Sequence, residues 1–134
     1  MAEAFVLDTS ALLALRSDES GAGRVEEILR LGRQGRTQVL LSFMSRMEVL
    51  YRVTASEGAE AASTALRLID AAGVEWVSCE PAILETAARL KARGGLSVAN
   101  AWIAATAEVR GAVLVHKDPE FARAREVAQE RLRS

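Results

Sequence analysis

The chain has 134 residues, 50% hydrophobic and 26% charged, a size at which one domain over 1–134 buries a core without staples. Seventeen Lys and Arg against eighteen Asp and Glu leave a formal charge of −1, which excludes nucleic-acid or membrane adhesion by bulk charge. A lone cysteine, Cys79, excludes an internal disulfide and a Cys-rich zinc site, and no apolar run reaches the roughly 18 residues of a membrane span. The first residues, Met1-Ala2-Glu3-Ala4, lack the basic start of an export signal, so the expected setting is the cytoplasm with no membrane.

Ala4-Phe5-Val6-Leu7 is β-prone with no polar alternation, the pattern of a strand buried on both faces. Asp8-Thr9-Ser10 stops it, and Ala11 to Leu15 read as a short helix. Val25, Ile28, Leu29 and Leu31 mark one face of a helix over 23–33, ended by Gly32 and Gly35. Gln38 to Leu41 form the second strand, and Ser42 caps a helix carrying Met44, Met47, Leu50 and Tyr51, with Glu48 among them. Gly58 interrupts, and Ala62, Leu66 and Ile69 continue at helical spacing to Gly73. Val74 to Val77 are the third strand. Pro81 opens a helix with a stripe of Ile83, Leu84, Ala87 and Leu90. Ser97 caps a strongly helical run over 98–109, and Gly111 releases the chain into a fourth strand, Ala112 to Val115. Asp118-Pro119 then opens a last Arg- and Glu-rich helix.

Apolar strands alternating with helices predict a three-layer α/β/α sandwich around a mostly parallel sheet of four to five strands. Ligands of such sheets bind beyond the carboxyl ends of the strands. Asp8 directly follows the first strand and Asp118 lies three residues after the fourth, so both face that edge. Taken singly, each has a structural explanation. Asp8 and Asp118 are good N-caps, and Asn100 stands near a helix start. Glu48 fits caps less well, because Ser42 already serves its helix and Met47 and Val49 flank it. Cys79 reads as a small buried apolar residue. Thr9 or Ser10 as nucleophile would need His116 as base with no acid to orient it, and no phosphate-binding glycine loop is present. A phosphatase of the haloacid dehalogenase type needs a second Asp two residues after the first, where this chain has Ser10. Collected at one sheet edge, Asp8, Glu48 and Asp118 would instead offer the oxygen ligands that a hard divalent cation needs.

Four blocks carry a family resemblance in order along nearly the whole chain. They are Val6-Leu7-Asp8-Thr9-Ser10-Ala11-Leu12-Leu13, Met47-Glu48-Val49-Leu50-Tyr51-Arg52, the run from Leu96 to Ala107 around Asn100, and Leu114-Val115-His116-Lys117-Asp118-Pro119-Glu120-Phe121. The chain resembles the PIN-domain ribonucleases and, more narrowly, the toxin subunit of VapBC toxin–antitoxin pairs. The resemblance implies a metal-dependent endoribonuclease that cuts single-stranded RNA with Mg²⁺ or Mn²⁺. It implies Asp8, Glu48, Asn100 and Asp118 as the catalytic and metal positions. It also implies a VapB-like antitoxin as partner. At position 100 the family has Asp and this chain has Asn, which brings no charge, so activity is expected to be weakened or lost. The alternative expectation is a PIN-like module that binds a protein partner or RNA and does not cut. Helices rich in Ala, Leu and Met carry more apolar surface than a small sheet needs, from which a homodimer and an antitoxin helix lying in a groove are expected.

Overall fold

Each central strand sends alternate side chains to opposite faces, and both faces are apolar. In the computed structural model, Phe5, Leu7, Val39, Leu41 and Val115 pack on one side of the sheet, and Val6, Leu40, Val77 and Leu114 on the other. A strand with two buried faces needs cover on both, and the helices supply it. The structure describes residues 3–133. Met1 and Ala2, part of the start read above for an export signal, lie outside the described residues, as does Ser134.

The strands are β1 (Glu3–Leu7), β2 (Thr37–Ser42), β3 (Glu75–Val77), β4 (Val113–His116) and β5 (Gln129–Arg131). They form one sheet in the order β3-β2-β1-β4-β5, parallel throughout. The helices are α1 (Thr9–Arg16), α2 (Ala22–Arg33), α3 (Phe43–Glu57), α4 (Ala59–Asp70), α5 (Pro81–Ala92) and α6 (Val98–Arg110). Residues of α1 to α4 cover one face and those of α5 and α6 the other, which gives the three layers of an α/β/α sandwich. No described helix is long and apolar enough to cross a membrane.

The strand order reverses at β1. The chain builds outward from β1 to β2 and β3, then returns to lay β4 on the open side of β1. That junction is the topological switch point, where a crevice opens beyond the carboxyl ends of the strands. The Asp8 N–H donates to the Val115 carbonyl at 3.1 Å and locks the ends of β1 and β4 together.

Three expectations are corrected. Asp118-Pro119 opens only a short 3₁₀ turn over Pro119–Arg123, and the remaining segment returns to the sheet as β5. Gln129 explains the early stop. Its Nε2 donates to the Phe121 and Ala124 carbonyls, each at 2.8 Å, and so takes acceptors that a continuing helix would use. Cys79 is exposed in the connection after β3 rather than buried. Leu84 faces solvent, at 49% exposure, outside the stripe of Ile83, Ala87 and Leu90 that α5 buries.

Candidate active site

Asp8 ends β1 and starts α1. Its Oδ1 accepts from the Ala11 N–H at 2.8 Å, an N-cap that fixes the carboxylate at the helix start. The Ser10 hydroxyl lies 2.7 and 2.8 Å from the two Asp8 oxygens and itself accepts from the Lys117 N–H at 2.8 Å. Ser10 therefore stitches the turn after β1 to the loop after β4. Only 2% of Asp8 is exposed. Burial pushes its carboxyl up to about 6, against the hydrogen bonds from Ser10 and Ala11, and the nearby Asp118 charge adds to the rise.

Asp118 is placed by the loop after β4. Its N–H donates to His116 Nδ1 at 3.2 Å, so the proton of the neutral ring sits on Nε2, which points to Gln129 Oε1 at 2.9 Å. His116 is buried, and that burial holds its pKa below the ordinary histidine value, the contact with Gln129 opposing. Asp118 Oδ1 accepts from the Glu120 N–H at 2.9 Å and caps the 3₁₀ turn. Both cap readings made from sequence hold for Asp8 and Asp118, and neither prevents the carboxylates from facing a common pocket.

Glu48 stands one turn into α3, half-buried, where Thr9 Oγ1 donates to its Oε1 at 2.7 Å. Thr9 Oγ1 also lies 3.0 Å from the buried Ser45 hydroxyl, so α1 and α3 are joined beside the site. Asn100 lies in the first turn of α6. Ser97 caps that helix by accepting from the Asn100 N–H at 3.1 Å. The Asn100 side chain does not cap. Its Nδ2 donates to Asp118 Oδ2 and to Glu120 Oε1, each at 3.0 Å. Ionised carboxylates only accept hydrogen bonds, so an amide wedged between two of them presents its nitrogen.

These residues line one pocket of about 320 Å³ together with Glu120, Thr9, Ser10 and Arg52. The structure thus brings Asp8, Glu48, Asn100 and Asp118 to the same crevice from β1, α3, α6 and the loop after β4. Among the lining residues not expected from sequence as site members are Glu120 and Arg52. Glu120 Oε1 accepts from the Ser97 N–H at 2.6 Å as well as from Asn100, which ties the loop after β4 to the start of α6. The signal for it was an acid two residues beyond Asp118. Arg52 follows Glu48 by four residues, one turn along the same helix face.

The donors in this pocket are oxygen atoms, the chemistry that Mg²⁺ and Mn²⁺ select. As folded, however, no group of three His, Cys, Asp or Glu among the described residues is placed to hold a metal ion. The amide of Asn100, lodged between Asp118 and Glu120, presents the positive end of a dipole to both.

A second concavity lies away from the acids. Leu12, Leu13, Leu29, Leu68, Ile69 and Val74 line an apolar groove of about 280 Å³ between α1, α2 and α4. Met47, Leu50 and Tyr51 on the outer face of α3 and Leu68 on α4 are exposed.

No curated protein matches the chain by sequence. Among solved structures, a chain of VapBC2 from Rickettsia felis, bound to a promoter DNA fragment, superposes with a TM-score of 0.78 at 18% identity, over 97% of this chain and 99% of that one. VapBC-1 from nontypeable Haemophilus influenzae gives 0.75 at 22% identity, over 96% and 97%. VapC20 of Mycobacterium tuberculosis, a toxin that cleaves the sarcin–ricin loop, gives 0.69 at 19% identity, over 90% and 94%. These likenesses are of fold. The PIN domain family model matches residues 5–127, a span that includes every acid of the pocket, and the chain therefore belongs to the PIN domain family.

Proposed function

We propose that this chain is the toxin of a toxin–antitoxin pair, an endoribonuclease that hydrolyses phosphodiester bonds of single-stranded RNA in the cytoplasm, with activity weakened at Asn100. One observation carries the reading. Asp8, Glu48, Asn100 and Asp118, distant in sequence, line one pocket at the switch point of a PIN fold. To hold Mg²⁺ or Mn²⁺, Asp8, Glu48 and Asp118 would have to draw closer than they stand as folded, with Asn100 beside them. When bound, the metal supplies polarisation of the scissile phosphate and activation of water. Asp8 keeps a buried carboxylate whose charge is costly without a cation, and Thr9 and Ser10 hold Glu48 and Asp8 in orientation. Asn100 reduces the negative charge of the pocket and engages two of its carboxylates.

The apolar groove between α1, α2 and α4 supports an antitoxin that lays a helix in it and covers the acidic pocket, a VapB-like partner in keeping with the VapBC assemblies of similar fold. The exposed Met47, Leu50 and Tyr51 of α3 support a homodimer. A PIN module that binds RNA or protein without cutting is the second reading, favoured by the amide at position 100.

Incubation with single-stranded RNA and Mn²⁺ separates the two. A nuclease gives slow cleavage by the native chain and faster cleavage by Asn100→Asp, with the gain on the order of ten- to a hundredfold for the 1–3 kcal/mol that a charge near the ion supplies. RNA left intact by both chains establishes the non-cutting module.

A further inference from the structure

Most arginines whose side chains are placed on helices are engaged by acids. Arg16, Arg24, Arg33, Arg46, Arg89 and Arg110 each form an ion pair with a carboxylate. Arg52 does not. Among the described residues its guanidinium has neither an ion pair nor a hydrogen bond, although Glu48, four residues earlier, is the partner that helix geometry offers it. Thr9 occupies Glu48 instead. Lys117, the other cation lining the pocket, directs its Nζ to Glu19 at 3.4 Å. Arg52 is thus the one lining cation, among the described residues, with no partner in the chain.

An RNA strand approaching Asp8, Glu48, Asp118 and Glu120 brings like charge to like charge. Entry needs a cation at the rim that is not neutralised internally, and a guanidinium fork matches two phosphate oxygens at once. We infer that Arg52 holds a phosphodiester of single-stranded RNA at the mouth of the acidic pocket, as a substrate-positioning residue. The inference rests on the nuclease reading above and adds to it the residue that anchors the strand.

The test measures anisotropy of a fluorescein-labelled, mixed-sequence single-stranded RNA in EDTA, where no cutting occurs, for the full chain and for Arg52→Ala, Arg52→Lys and Arg67→Ala. Arg67, an exposed residue of α4 outside the pocket, is the control. Arg52 is exposed and unpaired, so Arg52→Ala should keep the native melting temperature, which is checked first. Loss of one phosphate contact weakens binding about tenfold at low salt and flattens the slope of log K against log salt by about 0.7. Arg52→Lys recovers the slope but only part of the affinity, and Arg67→Ala matches the native chain. Binding by Arg52→Ala equal to native in affinity and slope overturns the assignment and leaves the nuclease reading intact. A native chain that binds no RNA overturns the assignment, and the cleavage assay with Mn²⁺ then decides the nuclease reading by itself.

Discussion

Asn100 donates to Asp118 and Glu120 at once, so one neutral amide bridges two carboxylates of the pocket. Replacing it by Asp removes two charge-assisted hydrogen bonds and sets a third carboxylate against the pair. Without metal, Asn100→Asp should lose about 1–3 kcal/mol of stability. Mn²⁺ should then raise its melting temperature more than that of the native chain, because a ligand stabilises the folded form in proportion to its affinity and the variant binds the ion more tightly. Melting with EDTA and with MnCl₂ checks both signs, and identical curves for the two proteins would remove Asn100 from the site. Asp8 makes a second prediction. Its carboxyl titrates at about 6 when folded against 3.8 as the ordinary value, so the protonated form favours the fold. That contribution is complete below pH 3.8 and is lost as pH rises through about 6, a cost of roughly 3 kcal/mol at neutral pH. Asp8→Asn keeps an oxygen for the Ala11 N–H and carries no charge. In EDTA at pH 7.5 it should melt several degrees above the native chain, with the gap closing toward pH 4. A gap that does not change with pH would mean that Asp8 does not titrate in this window.

The turn into α2 shows how one element depends on another far away. Gly21 caps α2 at a φ of +97°, and a Cβ there would stand 3.0 Å from the Leu132 Cβ, just beyond β5. Gly21→Ala should therefore cost about 1–3 kcal/mol, from the left-handed backbone and from crowding together. Urea unfolding would register it as a lower midpoint at unchanged slope. The same junction marks where reading the sequence fails. Strands β1, β2 and β4 were legible because Phe5-Val6-Leu7, Val39-Leu40-Leu41 and Val113-Leu114-Val115 are apolar at every position, a pattern that only burial on two faces explains. Strand β5 has the sequence Gln-Glu-Arg and no such pattern. It is a strand because β4 offers it an unpaired edge and because Gln129 is tied to His116 and to the 3₁₀ turn, contacts that local propensity does not contain. Asp8, Glu48, Asn100 and Asp118 were legible through the family resemblance and their positions after strands and at helix starts. Glu120 and Arg52 were not, since each resembles an ordinary solvated charge until its neighbours are placed.

At the scale of the whole molecule, the acidic pocket and the apolar groove are separate places, so the two proposed partners can be tested independently. Leu68 is 69% exposed at the groove and does not line the acidic pocket. Leu68→Glu should leave folding and RNA binding unchanged while abolishing co-purification with a co-expressed antitoxin. Retention of the antitoxin by this variant would move the docking site elsewhere. The position of β1 in the sheet also sets a timetable. During N-to-C synthesis β1 pairs with β2 as soon as Thr37–Ser42 emerge, but its other edge stays open until Val113–His116 have been made. Asp8 waits through that interval, since Asp118 and Glu120 reach it only with the return of β4. No nascent fragment that stops short of Glu120 contains the pocket, so its acids meet only after the strand on the far side of β1 has been made.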